Sequence, residues 1–377
     1  MKRLEHWLDV GQRRLRCGYT TGTAAAAAAC AAARLLLTGE APRSVLVDTP
    51  AGLSVEVEVE QAECDGAKAR CAVIKDAGDD PDVTDGVHVV AAVTRVPSGF
   101  PVDGGEGVGR VTLPGLDQPV GEVAINSVPR RIIAEQLRLA AEDAGYAGGL
   151  RAVISIPEGA ELAAKTFNPR LGIVGGLSVL GTTGIVRPMS EEALQETLKA
   201  ELNQYKAMNH RHLLLTPGAY GAAFCREQLG LNLERSVQCS NYIGAALDHA
   251  ALLGFESVLL VGHTGKLVKC AAGVMNTHSR VADARRETIA AHAALCGADA
   301  GTLAAVMESP TTDAALTALG PLRAPAMERI TAAVGQQLQR RAGERMQVEA
   351  VIFSNTLGLL GQTSGAGVLL ELHKKGD

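Results

Sequence analysis

Residues 257–286 read SVLLVGHTGKLVKCAAGVMNTHSRVADARR, and the rest of the chain is organised around them. Ser257 to Val261 is a short apolar run rich in β-branched residues, which predicts a buried strand. Gly262-His263-Thr264-Gly265-Lys266 follows, and then an apolar run with helical spacing. A strand, a glycine turn and a helix in that order aim unpaired backbone N–H groups at a ligand. The glycines let the backbone approach it, while His263, Thr264 and Lys266 add polar reach. Asn276-Thr277-His278-Ser279 then supplies a capping cluster before a second helix bearing Arg280, Asp283, Arg285 and Arg286.

Outward from this unit, apolar segments at 152–156, 171–174, 212–216, 257–261 and 348–353 alternate with helical patterns at 190–208, 221–229, 240–253 and 279–296. That rhythm predicts a parallel sheet covered by helices, with ligands at the carboxyl ends of the strands. Five turns are then expected on one rim: Gly172 to Gly176, Gly181-Thr182-Thr183-Gly184, Thr216-Pro217-Gly218, Gly262 to Lys266, and Ser354-Asn355-Thr356. Residues 298–345 have helical patterning throughout, amphipathic over 324–341, which suits closing the sheet or an oligomer face.

The first part of the chain follows another rule. Strand patterns at 44–48, 53–60, 67–75 and 86–96 are joined by short, turn-rich gaps, which predicts antiparallel pairing. Before them, Thr20, Thr21 or Thr23 caps a helix over 23–37 made almost wholly of alanine, the best helix former. Asn126-Ser127-Val128-Pro129 opens a helix running to about 144, with Arg130 and Arg131 in its first turn, where positive charge opposes the helix dipole and invites an anion. The glycines of 145–149 suggest a boundary. The expectation is a mixed α/β protein: an α+β domain over 1–148 with mainly antiparallel strands, and a Rossmann-like parallel α/β domain over 149–377.

Composition narrows the function. The chain has 377 residues, 47% hydrophobic and 20% charged, as expected of a globular protein. A net charge of −5 with 3% aromatics argues against nucleic acid, which favours a basic face and stacking rings. None of the eight cysteines forms a CxxC pair, so no metal site is expected and the thiols suggest a reducing, cytoplasmic setting. Arg13-Arg14 before the alanine run imitates a signal sequence, but polar Thr20 to Thr23 and Arg34 break the pattern, and no membrane partner is expected. The acidic loop 75–82, KDAGDDPD, departs from an EF-hand, and 105–109, GEGVG, lacks the strand-to-helix setting of a dinucleotide fingerprint.

Several stretches together resemble the cobalt-precorrin-5B carbon-1 methyltransferase family of anaerobic cobalamin synthesis, called CbiD. They are LRCGYTTGTAAAAAA at 15–29, KDAGDDPDVTDG at 75–86, GGEGVGRVTLPGL at 104–116 and AINSVPR at 124–130. NPRLGIVGGLSVLGTTGIVRPMSEEA at 168–193 and GHTGKLVKCAAGVMNTHSRVADAR at 262–285 are the longest and most specific. The family commonly places cysteine directly after GYTTGT and lysine six positions later, where this chain has Ala24 and Cys30.

The resemblance implies S-adenosylmethionine as a consumed methyl donor and a polycarboxylate corrinoid as acceptor, with cobalt present only as part of that substrate. On that basis Gly175, Gly176, Thr182, Thr183, Gly184, Gly262, Thr264 and Gly265 are candidates for the donor. Thr20, Thr21, Arg130, Arg131, Arg170, Arg187, Lys266, Asn276 and Arg280 are candidates for the acceptor, arginine being suited to carboxylates. His263 and Asp79 are the catalytic candidates, while Asp80 and Asp283 could bond donor hydroxyls or anchor arginines. Neighbouring pathway enzymes and further copies of the chain are candidate partners. A non-catalytic corrinoid carrier is the alternative. A phosphate loop is not, because only two residues separate Gly262 from Gly265 and Leu267 follows Lys266.

Overall fold

The computed structural model describes residues 3–233 and 236–375. The chain divides into two compact units between Glu191 and Glu192. In the first, the hairpin β1 (Trp7–Val10) and β2 (Arg13–Arg16) leads through β3 (Gly18–Tyr19) into α1 (Thr21–Thr38). Thr20 caps α1 by accepting from the Thr23 N–H at 3.3 Å, and Gly39, at φ 80°, ends it by donating to Leu35. Between those caps every alanine is buried, so α1 is a core helix, although it is long and apolar enough to cross a membrane by length and composition. Ala24 and Cys30 sit on this closely packed rod at 0% and 2% exposure, and burial pushes the Cys30 thiol up.

The strands of this unit are β4 (Ser44–Asp48), β5 (Ser54–Glu58), β6 (Gln61–Cys64), β7 (Lys68–Ile74), β8 (His88–Val96), β9 (Val102–Gly104) and β10 (Arg110–Val111). After α2 (Ser127–Asp143) come β11 (Gly149–Ser155), α3 (Gly159–Ala163), β12 (Ile173–Val174) and β13 (Ile185–Val186). The main sheet has the order β6-β7-β8-β11-β9, antiparallel except for β11 with β9. α1 packs on it and on α2. This corrects the expected boundary at 148/149: β11 is apolar enough for a parallel core strand, yet it pairs along its whole length with β8.

The second unit opens with α4 (Glu191–Ala207), β14 (His212–Thr216), α5 (Ala219–Glu227), β15 (Ser236–Gln238), α6 (Ile243–Leu252), β16 (Ser257–His263) and α7 (Thr264–Ala271). It ends with α8 (Arg285–Ala294), α9 (Ala300–Glu308), α10 (Thr312–Ala318), α11 (Arg323–Ala342), β17 (Gln347–Ser354), β18 (Gly358–Gln362) and α12 (Ala366–Lys375). The sheet order is β15-β14-β16-β17-β18, parallel except for antiparallel β18 at the edge. Alternate residues feed opposite cores. Leu213, Leu215, Val258 and Leu260 pack with α6, α7 and α11 residues such as Ile243, Leu267 and Ile330, while Leu214, Leu259 and Val261 pack with Cys225, Leu369 and Leu370. A sheet buried on both faces explains the nearly unbroken apolar runs.

Candidate functional site

The carboxyl ends of β14, β16 and β17 bring together several polar groups. At the end of β16, His263 has extended backbone and caps α7, its Nδ1 accepting from the Gly265 N–H at 3.1 Å. With Nδ1 occupied as an acceptor, the neutral ring carries its proton on Nε2. Burial holds the His263 pKa below its ordinary value against the raising effect of Asp313, so the neutral form dominates at pH 7. The ring lies edge-on to Phe353, with centroids 5.6 Å apart, and 6.4 Å from Tyr220, which is 69% exposed.

Beside β16, β14 ends in Thr216-Pro217-Gly218. Gly218 has φ 132° and ψ −173°, a conformation that glycine adopts and side-chain residues rarely do, and no side chain caps the α5 that follows. A Cβ placed on Gly218 would meet nothing within 4 Å, so the backbone here borders open space. Lys266 reaches this turn from α7, donating from Nζ to the carbonyls of Pro217 at 2.5 Å and Ser240 at 3.2 Å. Burial lowers its pKa, with Cys239 opposing.

The third contribution comes from α10, which the sequence marked as helical but not as part of a site. Asp313 Oδ2 accepts from the hydroxyls of Ser354 at 2.8 Å and Thr356 at 2.6 Å. Its Oδ1 is buried without a hydrogen-bond partner, as are the hydroxyl oxygens of Thr216, Thr264 and Thr312. Leaving a buried polar atom unpaired costs about 1–3 kcal/mol, and these four gather near one end of one sheet, where a ligand group or an ordered water would satisfy them. No spacing rule links Asp313 to the turn fifty residues earlier; only the β16–β17 pairing and the packing of α10 bring them together. The thiols nearby are not nucleophiles: burial pushes Cys239 and Cys270 up to about 12.

Other expected residues lie elsewhere. The loop after α7 carries Asn276 and the exposed Arg280; Asn276 Oδ1 accepts from the His278 N–H at 3.1 Å. Buried Lys269 pins that loop through the carbonyls of Thr277 and Ala282, at 3.1 and 2.9 Å. Asp283 is paired with Arg285 at 2.5 and 2.7 Å rather than with Arg280.

The single rim of five turns is not what forms. Gly175, Gly176, Thr182, Thr183 and Gly184 belong to the first unit, because β12 and β13 pair with β10 and β3 instead of extending the parallel sheet. The Thr182–Gly184 turn seals the start of α1: the Gly184 carbonyl accepts from the Thr20 N–H at 3.0 Å and the Thr23 hydroxyl at 2.7 Å. Thr20 and Thr21 are thereby buried, at 7% and 6% exposure. Gly176 packs backbone to backbone with Gly107, where a Cβ would come 2.2 Å from the Gly107 carbonyl oxygen.

Arg130 is also committed internally, its guanidinium donating to the carbonyls of Ile125 and Val102 at 2.8 Å each and Val123 at 3.2 Å. Arg131, Arg170 and Arg187 are exposed. Asp79 Oδ2 accepts from the Arg16 N–H at 2.7 Å and Asp80 Oδ1 from the Met189 N–H at 2.8 Å. With the bidentate Arg16–Asp76 pair and the buried Lys75 bonded to Asp82 and Thr84, these carboxylates lock the loop 75–86. His263 and Asp79 therefore stand in different units. Among the described residues no group of three or more His, Cys, Asp or Glu could hold a metal ion.

A large open cavity of about 1280 Å³ lies between α11 and β17–β18, away from the rim residues. Glu328, Glu344 and Glu349 line it against a single Arg340, a poor balance for a polycarboxylate.

The CbiD family model matches residues 9–188, and that of the CbiD C-terminal domain matches residues 276–364. The chain is 44% identical over 389 residues to the cobalt-precorrin-5B C(1)-methyltransferase of Ruminiclostridium cellulolyticum, with 99% of this chain and 100% of the relative covered. It is 41% identical over 376 residues to the protein of the same name from Alkaliphilus metalliredigens, covering 98% of each. Among solved structures, it resembles the cobalamin biosynthesis protein (cbiD) of Archaeoglobus fulgidus at 31% identity. That match covers 74% of this chain and 87% of the other, with a TM-score of 0.40.

Proposed function

Because the chain belongs to the CbiD family, we propose that it methylates cobalt-precorrin-5B at ring carbon 1, giving cobalt-precorrin-6A. The observation that carries this reading is the 44% identity, over nearly the whole chain, to a protein named for that reaction. S-adenosylmethionine is the donor, and the second unit, read as Rossmann-like, holds it at the carboxyl rim of its sheet. The unpaired Thr216, Thr264, Thr312 and Asp313 atoms and the open Gly218 turn support that placement.

The methyl carbon leaves a sulfonium, whose sulfur keeps the C–S electron pair, and bonds to a ring carbon that supplies the new pair. Positive charge on sulfur fades toward the transition state, so a site that held it tightly would favour the ground state. Alignment and exclusion of water carry the acceleration instead. His263 fits this as a neutral orienting group that donates from Nε2, because its Nδ1 is taken by the helix cap. Asp79 is a loop latch in this reading. The exposed Arg131, Arg170, Arg187 and Arg280 are the candidates for the acceptor's carboxylates.

The test is an anaerobic incubation with methyl-¹³C S-adenosylmethionine and cobalt-precorrin-5B. The expected product gains one labelled methyl, assigned to ring carbon 1 by NMR. An unlabelled corrinoid despite saturable donor binding would overturn the assigned acceptor. Corrinoid binding with no donor binding would instead make the chain a carrier.

A further inference from the structure

The rim pairs two opposite electrical characters a few side chains apart. On one side are the first turn of α5, which no side chain caps, and that of α7, where His263 takes only the Gly265 N–H, both at the positive end of a helix dipole, together with the Lys266 ammonium at the Pro217 carbonyl. On the other is Asp313, whose Oδ2 is fixed by Ser354 and Thr356 and whose Oδ1 has no partner. Thr312 joins the two sides: its unpaired hydroxyl would be 3.7 Å from a Cβ on Gly265, in the first turn of α7.

A polycarboxylate satisfies only the positive side and is repelled by Asp313. A neutral sugar can donate to Asp313 but brings no negative charge to the positive side. A group bearing both a carboxylate and an ammonium on one carbon satisfies both sides at once. We propose that this rim binds the zwitterionic amino-acid end of the methyl donor, its carboxylate at the first turns of α5 and α7 and its ammonium at Asp313. This rests on the donor-binding reading above and adds which end of the donor lies here, which residue selects it, and why the acceptor is turned away. Asp313 is a binding residue in this scheme and takes no part in bond making.

Equilibrium binding of S-adenosylhomocysteine and of 5′-methylthioadenosine, which lacks the amino-acid end, tests it. Asp313→Asn keeps the shape and the oxygen that Ser354 and Thr356 bond. It is expected to weaken S-adenosylhomocysteine roughly tenfold or more while changing methylthioadenosine less than about twofold, the range for losing a bond to a charged group. Equal losses for both ligands would assign Asp313 to the ribose or to structure and overturn the proposal, as would no loss for either.

If the variant does not fold, the wild type alone decides. S-adenosylhomocysteine analogues lacking either the amino or the carboxyl group should each bind at least about tenfold more weakly. An analogue that binds as tightly as the parent overturns the side it was built to probe. A wild type that binds methylthioadenosine and S-adenosylhomocysteine equally sinks the inference but keeps the donor reading. A wild type that binds neither sinks both.

Discussion

At the scale of single residues, the structure separates side chains that hold the fold from those free to meet a ligand. Arg130 and Arg131 are neighbours with opposite fates. Removing the Arg130 guanidinium would strand three backbone carbonyls, so Arg130→Ala should cost about 2 kcal/mol or more in denaturant unfolding. Arg131 is exposed, and Arg131→Ala should leave the unfolding midpoint unchanged while weakening corrinoid binding. His263 caps α7 through Nδ1 and leaves Nε2 as a donor. His263→Ala should lose about 1 kcal/mol of stability, which His263→Asn largely restores. Turnover that returns with the asparagine would make the cap the residue's whole contribution.

The same histidine predicts a pH dependence. Its folded pKa lies below the ordinary 6.5 through burial, so the unfolded chain binds its proton more readily. Its stabilising contribution is therefore complete above about pH 6.5 and is lost as pH falls through the folded value. His249 and His292 are lowered in the same direction, also by burial. His263→Asn should flatten the acid limb of a stability–pH curve without abolishing it.

At the scale of elements, α1 shows how tightly composition can dictate packing. Its wholly buried alanines leave no room between α1, α2 and the sheet, so Ala28→Leu should destabilise the protein by about 1–3 kcal/mol in thermal or denaturant unfolding. This helix was legible in the sequence because alanine propensity and the threonines ahead of it agree, while the choice of Thr20 among them and the Gly39 stop come from the structure. The β16–turn–α7 unit was legible for the same kind of reason: an apolar strand pattern, a glycine turn and a helical pattern in contiguous residues. β11 and the Gly175–Gly184 turns were misplaced because an apolar run states that a strand is buried but not which strand lies beside it. Asp313 was invisible because its partners, Ser354 and Thr356, are about forty residues away and belong to another element. Sequence motifs mark contiguous chemistry, and this site is assembled across contacts.

At the scale of the whole molecule, each unit has its own buried core, one built on α1 and the other on the parallel sheet. A chain cut between Glu191 and Glu192 should give a second unit that unfolds cooperatively and still binds S-adenosylhomocysteine, as measured by calorimetry. Corrinoid methylation should be lost from that fragment, since Arg131, Arg170 and Arg187 go with the first unit. Photo-crosslinking an azido analogue of S-adenosylmethionine to the intact protein tests whether the methyl donor sits on the carboxyl rim of the second unit's sheet. Label is expected on peptides carrying Thr216–Gly218, His263–Lys266 or Thr312–Asp313, removed by competing S-adenosylmethionine. Competable label confined to the first unit, at the Thr182–Gly184 turn or the loop around Gly107, would contradict it.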